Sequence, residues 1–375
     1  MTSINQLLWG GIAVSVVFGA AAQASQFCPQ GGLREAMLES RPARLAAYFV
    51  AIGVALLGVA ALQLVLRHAV EPSHPPYRAV QLAWGRYVLG GLLFGAGMVL
   101  ARGCPLRTLV RSAQGSLQAM VSLFAMGVAA FAMISTFAFN DWVAPWIGRL
   151  SFDLGRLGWR SQGLDAVMGL HGHVARSLLG AAVGAALLVL AAGGLRGRRH
   201  RVQWVGSALI GLMVAAGYAL TAGSLGMRAV DDAAFMSQPP DGLGVQSLSF
   251  AGPLSDAARF AMHPQTQTFT LGVALLLGAL LGAVFAALVR DEFRLQWPQE
   301  ARPLMVQLAG ALMTGAGAVL GLGCTVGHGL SGLSVLSLGS ALGLACIFAG
   351  AWVTILITSR FASTPIQPAA VGAEV

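Results

Sequence analysis

Three of the four cysteines stand in matching local settings, each after an apolar stretch and at the start of a short polar segment containing glycine. The segments read Phe27-Cys28-Pro29-Gln30-Gly31-Gly32-Leu33-Arg34, Arg102-Gly103-Cys104-Pro105-Leu106-Arg107-Thr108, and Gly321-Leu322-Gly323-Cys324-Thr325-Val326-Gly327-His328-Gly329-Leu330-Ser331-Gly332. Proline is at home at the first position of a helix, so Cys28 and Cys104 are predicted to open short helices, and Cys324 is read the same way. A helix start offers free N–H groups and partial positive charge, which suit an anion. Three such starts, each with a thiol, describe an anion path lined by sulfur. A thiolate would repel an anion, so the path needs neutral S–H donors.

The neighbours of the cysteines follow from the same logic. Thr325, Ser331 and His328 carry groups able to donate hydrogen bonds to substrate oxygens, and His328 is read more readily as bracing the loop backbone. Gly103, Gly323 and Gly327 permit tight turns or close approach of backbone to substrate. Arg107 and Arg111 are four residues apart on one helix face, suited either to drawing an anion inward or to anchoring a cytoplasmic loop; Arg34 has the same two readings. Cys346 lies within Leu344-Ala345-Cys346-Ile347-Phe348 and reads as packing. No CxxC pair is present, which weakens a dithiol or zinc reading, and no metal or cofactor is called for.

Segments of this kind cannot face lipid, because their backbone groups would go unsatisfied. The elements that hold them must therefore bury them in protein or line a path with them. Of 375 residues, 56% are apolar and 10% charged, and mean hydropathy is +0.73. That little charge excludes a soluble enzyme, a disordered chain and a secreted disulfide scaffold, and leaves an all-α polytopic membrane protein. Apolar stretches predict nine spans, near 5–24, 45–66, 80–101, 117–139, 177–194, 204–222, 269–289, 303–321 and 336–358. The cysteine segments are then re-entrant half-helices. The first span ends in a small-residue run, but no positive charge precedes it, so it is read as retained.

The basic residues are 23 arginines and no lysine. A net charge of +9 in such a chain marks topology rather than nucleic-acid binding. The short basic run Arg196-Gly197-Arg198-Arg199-His200-Arg201, placed in the cytoplasm, puts the N-terminus outside and the C-terminus inside. Fourteen arginines then fall inside and nine outside, several of these in the long loops 140–176 and 223–268. Those loops carry Trp142, Trp146 and Trp159, and are expected to hold short helices on the membrane surface.

Residues 95–104 and 315–324 match at seven of ten positions, at an offset of 220, both ending in Gly-Cys. Five predicted spans lie between them, so the copies run in opposite directions, as in transporters with a midplane substrate site. The chain is accordingly divided into a first membrane half, 1–195, an inverted second half, 196–360, and a short cytoplasmic tail, 361–375.

The pattern Gly-Cys-Thr-x-Gly-His-Gly-x-x-Gly at 323–332 resembles the hallmark of the YeeE/YedE sulfur-transport family, and the segments at 27–34 and 103–107 resemble its other cysteine motifs. The resemblance runs from Cys28 to about Ser340. It implies a bacterial inner-membrane permease for thiosulfate or a similar sulfur oxyanion, hourglass-shaped, with its functional cysteines at Cys28, Cys104 and Cys324. It also implies a cytoplasmic sulfur-carrier partner of the TusA type, although the tail after Arg360 is too short to hold a fused one. A selenium-containing analogue as substrate, a thiol enzyme relaying sulfur as cysteine persulfides, and a structural membrane subunit are the competing readings.

Overall fold

The computed structural model describes residues 2–135, 141, 143–193, 200–236, 240–262, 269–297 and 300–361. The first part of the chain forms α1 (Ser3–Ala24), α2 (Pro29–Leu38), α3 (Ala43–Leu66), α4 (Trp84–Leu100), α5 (Pro105–Ala113), α6 (Leu117–Ser135), α7 (Ala144–Gly148), α8 (Leu164–Val167) and α9 (His173–Ala192). The remainder forms α10 (Arg201–Ala222), α11 (Ser224–Ala234), α12 (Ala251–Met262), α13 (Leu271–Val289), α14 (Ala301–Leu320) and α15 (Leu338–Phe361). Among the described residues, nine helices are long and apolar enough to cross a membrane, and each coincides with one expected span. The third begins at Trp84 rather than 80, because Gln81–Leu82 pair antiparallel with Phe152–Asp153 in a two-stranded ladder.

The basic residues 196–199, Trp142 and the tail after Phe361 lie outside the described residues. Of the other loop tryptophans, Trp146 is exposed and lies 5.4 Å beneath the Arg149 guanidinium. The two long loops do contain short helices: α7 and α8 in one, α11 and α12 in the other.

Small residues set the helix packing, because hydrocarbon offers no hydrophobic drive between spans and close van der Waals contact must replace it. On α4, a Cβ at Gly97 would lie 2.6 Å from the Thr314 nitrogen of α14, and one at Gly90 would strike the backbone at Gly321. Gly90 opposes Gly321 while Gly97 opposes Gly310 and Thr314, so α4 and α14 run antiparallel. The packing is reciprocal at the offset of the sequence repeat: Gly95 of α4 seats on Ile347 and Ala351 of α15, and Gly315 of α14 seats on Met126 and Ala129 of α6. The reciprocity continues in α1 packing on α13 as α10 packs on α3, whereas α9 packs on α3 without a counterpart among the described spans.

Candidate functional site: three thiols at half-helix starts

Each cysteine segment is built by the same backbone device. The preceding span ends in a non-glycine residue with positive φ: Gln26 at 51°, Arg102 at 59° and Leu322 at 63°. In each case the next N–H reaches five residues back, from Phe27 to Ala22 O at 3.0 Å, Gly103 to Met98 O at 2.9 Å and Gly323 to Ala318 O at 2.9 Å. This is a Schellman ending, which satisfies the last carbonyls of the span. Left-handed backbone costs a non-glycine residue about 1–2 kcal/mol, and here that cost turns the chain sharply so that the next residue begins a new helix.

Cys28 caps α2 and Cys104 caps α5, each with Pro at the first helical position and extended backbone at the cysteine. The Cys28 Sγ accepts the Gly31 N–H at 3.2 Å, and the Cys324 Sγ accepts the Gly327 N–H at 3.3 Å. The sulfur lone pair thus serves as cap, and the Cys28 S–H faces Gln30 Oε1 at 4.0 Å. All three thiols are free and buried. Cys346 sits mid-helix in α15, facing Gly91 of α4.

After Cys324 the chain is helical over 325–334, widened to a π-helix at Gly327–Gly332. Two tyrosines donate to main-chain carbonyls of this half-helix. Tyr48 Oη donates to Thr325 O at 2.7 Å, and Tyr218 Oη donates to Ser331 O at 3.0 Å. Gly329 is required here, because any Cβ would collide with the Tyr48 hydroxyl. Tyr48→Phe removes this buried hydrogen bond to the half-helix. A loss of about 0.5–1.5 kcal/mol is expected, read as a lower melting temperature of the purified, detergent-solubilised protein.

Because α4 and α14 are antiparallel, Cys104 and Cys324 enter the bundle from opposite membrane faces. The Cys104 thiol lies within electrostatic reach of both Cys28 and Cys324. The buried Thr325 hydroxyl comes up to Cys104 without a hydrogen bond of good geometry.

The other sequence-selected residues divide. His328 is buried with both ring nitrogens engaged, Nε2 with Gly321 O at 2.8 Å and Nδ1 with Ser340 Oγ at 3.3 Å, between the rings of Tyr77 and Tyr87. Its contacts are those of a brace. Ser331 Oγ donates to Leu248 O at 2.5 Å, tying the half-helix to the segment before α12. A Cβ at Gly323 would sit 2.7 Å from His328 Nε2, and one at Gly103 would press on Arg107 and Thr108.

Arg107 is half-buried and donates to Gln26 Oε1 at 2.7 Å. Arg111 is near Cys28, whereas Arg34 is exposed. Beside Arg107, Glu292 Oε2 accepts from Gln23 at 2.7 Å, Gln26 at 3.2 Å and Gln114 at 3.2 Å. This amide and carboxylate cluster closes the face from which Cys28 and Cys104 enter. Sequence reading did not select it, nor Tyr48, Tyr77, Tyr218 and Ser249, because none belongs to a cysteine motif.

A sequence profile described as sulphur transport matches residues 24–353. The chain is 26% identical over 363 residues to the thiosulfate transporter TsuA of Spirochaeta thermophila, covering 94% of this chain and 100% of that protein. It is 25% identical over 354 residues to the thiosulfate transporter TsuA of Escherichia coli, covering 92% of this chain and 93% of that protein.

Proposed function

From the premise that this chain belongs to the sulphur-transport family, and so is a membrane transporter rather than an enzyme, we propose that its substrate is thiosulfate, carried along a path formed by Cys28, Cys104 and Cys324. The observation that carries the reading is the thrice-repeated Schellman turn and thiol at a helix start, met from both faces around Cys104. Helix starts supply partial positive charge without a fixed cation. Neutral S–H groups donate to the terminal sulfur or the oxygens, and no single site binds so tightly that the ion is trapped. Thr325 and the backbone at Gly103, Gly323 and Gly327 complete the lining, while His328 and Ser331 hold it in shape. Arg107 and Arg111 lie at the inner mouth. The two reciprocal sets of helices act as inverted halves, 1–195 and 196–360, with an hourglass profile.

The location is the bacterial inner membrane, with the N-terminus outside and the C-terminus inside. Each charge costs about 2.3 kcal/mol per 100 mV against an inside-negative potential, and a dianion twice that. No described span carries an Asp or Glu near its centre to relay protons. Facilitated entry with cytoplasmic trapping by a TusA-type sulfur carrier is therefore the scheme adopted. The test is growth on thiosulfate as sole sulfur source of a cell lacking its own sulfur uptake and expressing this chain. Growth is expected, and its absence at verified membrane expression would contradict the proposal.

A further inference from the structure

A fourth short helix, α12, carries no cysteine. It packs on α13 and α6 as α2 packs on α3 and α15. Under the reciprocal scheme it is therefore the counterpart of α2, entering from the opposite face. The segment leading into α12 reads Leu248-Ser249-Phe250, where the lead into α2 reads Phe27-Cys28-Pro29. A hydroxyl stands near the position where its counterpart has a thiol.

That hydroxyl is not consumed by the fold. The strand-like lead is already strapped by its neighbours: Thr221 Oγ1 to Gln246 O at 2.6 Å, Ser247 Oγ to Val214 O at 2.7 Å and Ser331 Oγ to Leu248 O at 2.5 Å. Ser249 is 6% exposed and Tyr77 is 2% exposed, yet the two hydroxyls, which approach each other, make no hydrogen bond of good geometry. Buried polar groups left unpaired are uncommon and call for a reason. The two hydroxyls converge over Gly327, where a Cβ would lie 2.7 Å from Tyr77 Oη and 2.9 Å from Ser249 Oγ. Both also lie within reach of Cys324. A cavity of about 250 Å³ runs to Ser249 from the exposed His74 and Asp241. The two carboxylates that face it, Asp241 and Asp256, are both approached by Arg259, at 3.1 and 4.0 Å.

We propose that Ser249 and Tyr77 form an outer binding station that selects the substrate before it passes to the thiols. The inference rests on the thiosulfate-permease reading. The two O–H groups, brought together because Gly327 has no side chain, grip oxygens of the anion at the Ser249 end of the cavity, and the Cys324 S–H takes the terminal sulfur. The station thereby recognises an anion that presents both kinds of atom.

The test uses the full chain in proteoliposomes, with Ser249→Ala and Tyr77→Phe, each of which removes one oxygen. Each variant is expected to raise KM for thiosulfate about tenfold, the effect of a single hydrogen bond to a charged group, with kcat little changed and a melting temperature near that of wild type. A structural defect would instead lower the active fraction at constant KM. Equilibrium binding of labelled thiosulfate to the purified variants should weaken by the same factor. Wild-type KM and wild-type binding in both variants, alongside a transporting wild type, would overturn the station. A wild type that does not transport thiosulfate would instead overturn the permease reading beneath it.

Discussion

Alanine at Cys28, Cys104 or Cys324 is expected to cut thiosulfate uptake about 10- to 100-fold, the effect of losing one hydrogen bond to a charged group. Alanine at Cys346 is expected to leave uptake at the wild-type level. Cys28 and Cys104 cap their helices and Cys324 caps the 325–334 segment, each at a point where the chain has been turned by a left-handed residue two positions earlier. Cys346 is internal to α15 and faces Gly91. Each substitution removes one sulfur atom and leaves the turn intact, so the folded protein should persist. Cys104 should show the largest loss, because both other thiols lie within reach of it. The measurement is initial uptake in cells at matched membrane expression. Wild-type rates in all three variants would remove the thiols from the path.

The second large effect concerns stability. Arg78 is nearly fully buried, yet all three of its guanidinium nitrogens are used. It grips Asp165 through two bonds of 2.8 Å and donates to Val335 O at 2.9 Å, Ser161 Oγ at 3.1 Å and Glu71 Oε2 at 3.1 Å. Val335 lies at the end of the Cys324 half-helix, where a cation also meets the negative end of the helix dipole. One side chain therefore joins that half-helix to the loop before α4 and to the connection between α6 and α9. Arg78→Ala strands the Asp165 carboxylate, and about 3–5 kcal/mol of destabilisation is expected for a broken buried pair. Size-exclusion profiles and melting temperatures of the detergent-solubilised protein would report it, with the surface variant Arg149→Ala changing little.

Burial alone would raise the Asp165 carboxyl, but Arg78 outweighs it, and the net direction is down. The contribution of Asp165 is therefore complete above the ordinary carboxylate range, and is lost as pH falls through the lowered value. Acidification should narrow the difference between wild type and Arg78→Ala.

Much of this architecture is legible in the sequence, for physical reasons. A span must be about 20 apolar residues long whatever its neighbours are, so nine were readable one at a time. Proline after cysteine marks α2 and α5 locally. The Gly-Cys repeat exposes the antiparallel pairing of α4 and α14, because the close approach at Gly90 and Gly97 admits no side chain. The fourth half-helix was not legible. Its lead carries serine in place of cysteine, and it follows α10 only after α11 and a long connection, so neither motif nor spacing announces it. Tyr48 and Tyr218 escaped for a different reason. Their task is to donate to main-chain carbonyls of the Cys324 half-helix, and that role has no signature in residue type. His328 fits two roles by sequence, with bracing the more natural, and its contacts with Gly321 and Ser340 are those of a brace.

The most direct measurement is uptake of labelled thiosulfate into proteoliposomes containing this chain alone, with excess sulfate or selenite as competitor and Cys104→Ala reconstituted in parallel. The account predicts saturable uptake by the wild type that does not exceed the equilibrium set by the membrane potential, resists excess sulfate, and is largely lost in Cys104→Ala. Uptake no faster than in protein-free vesicles, or equal in wild type and Cys104→Ala, would contradict it.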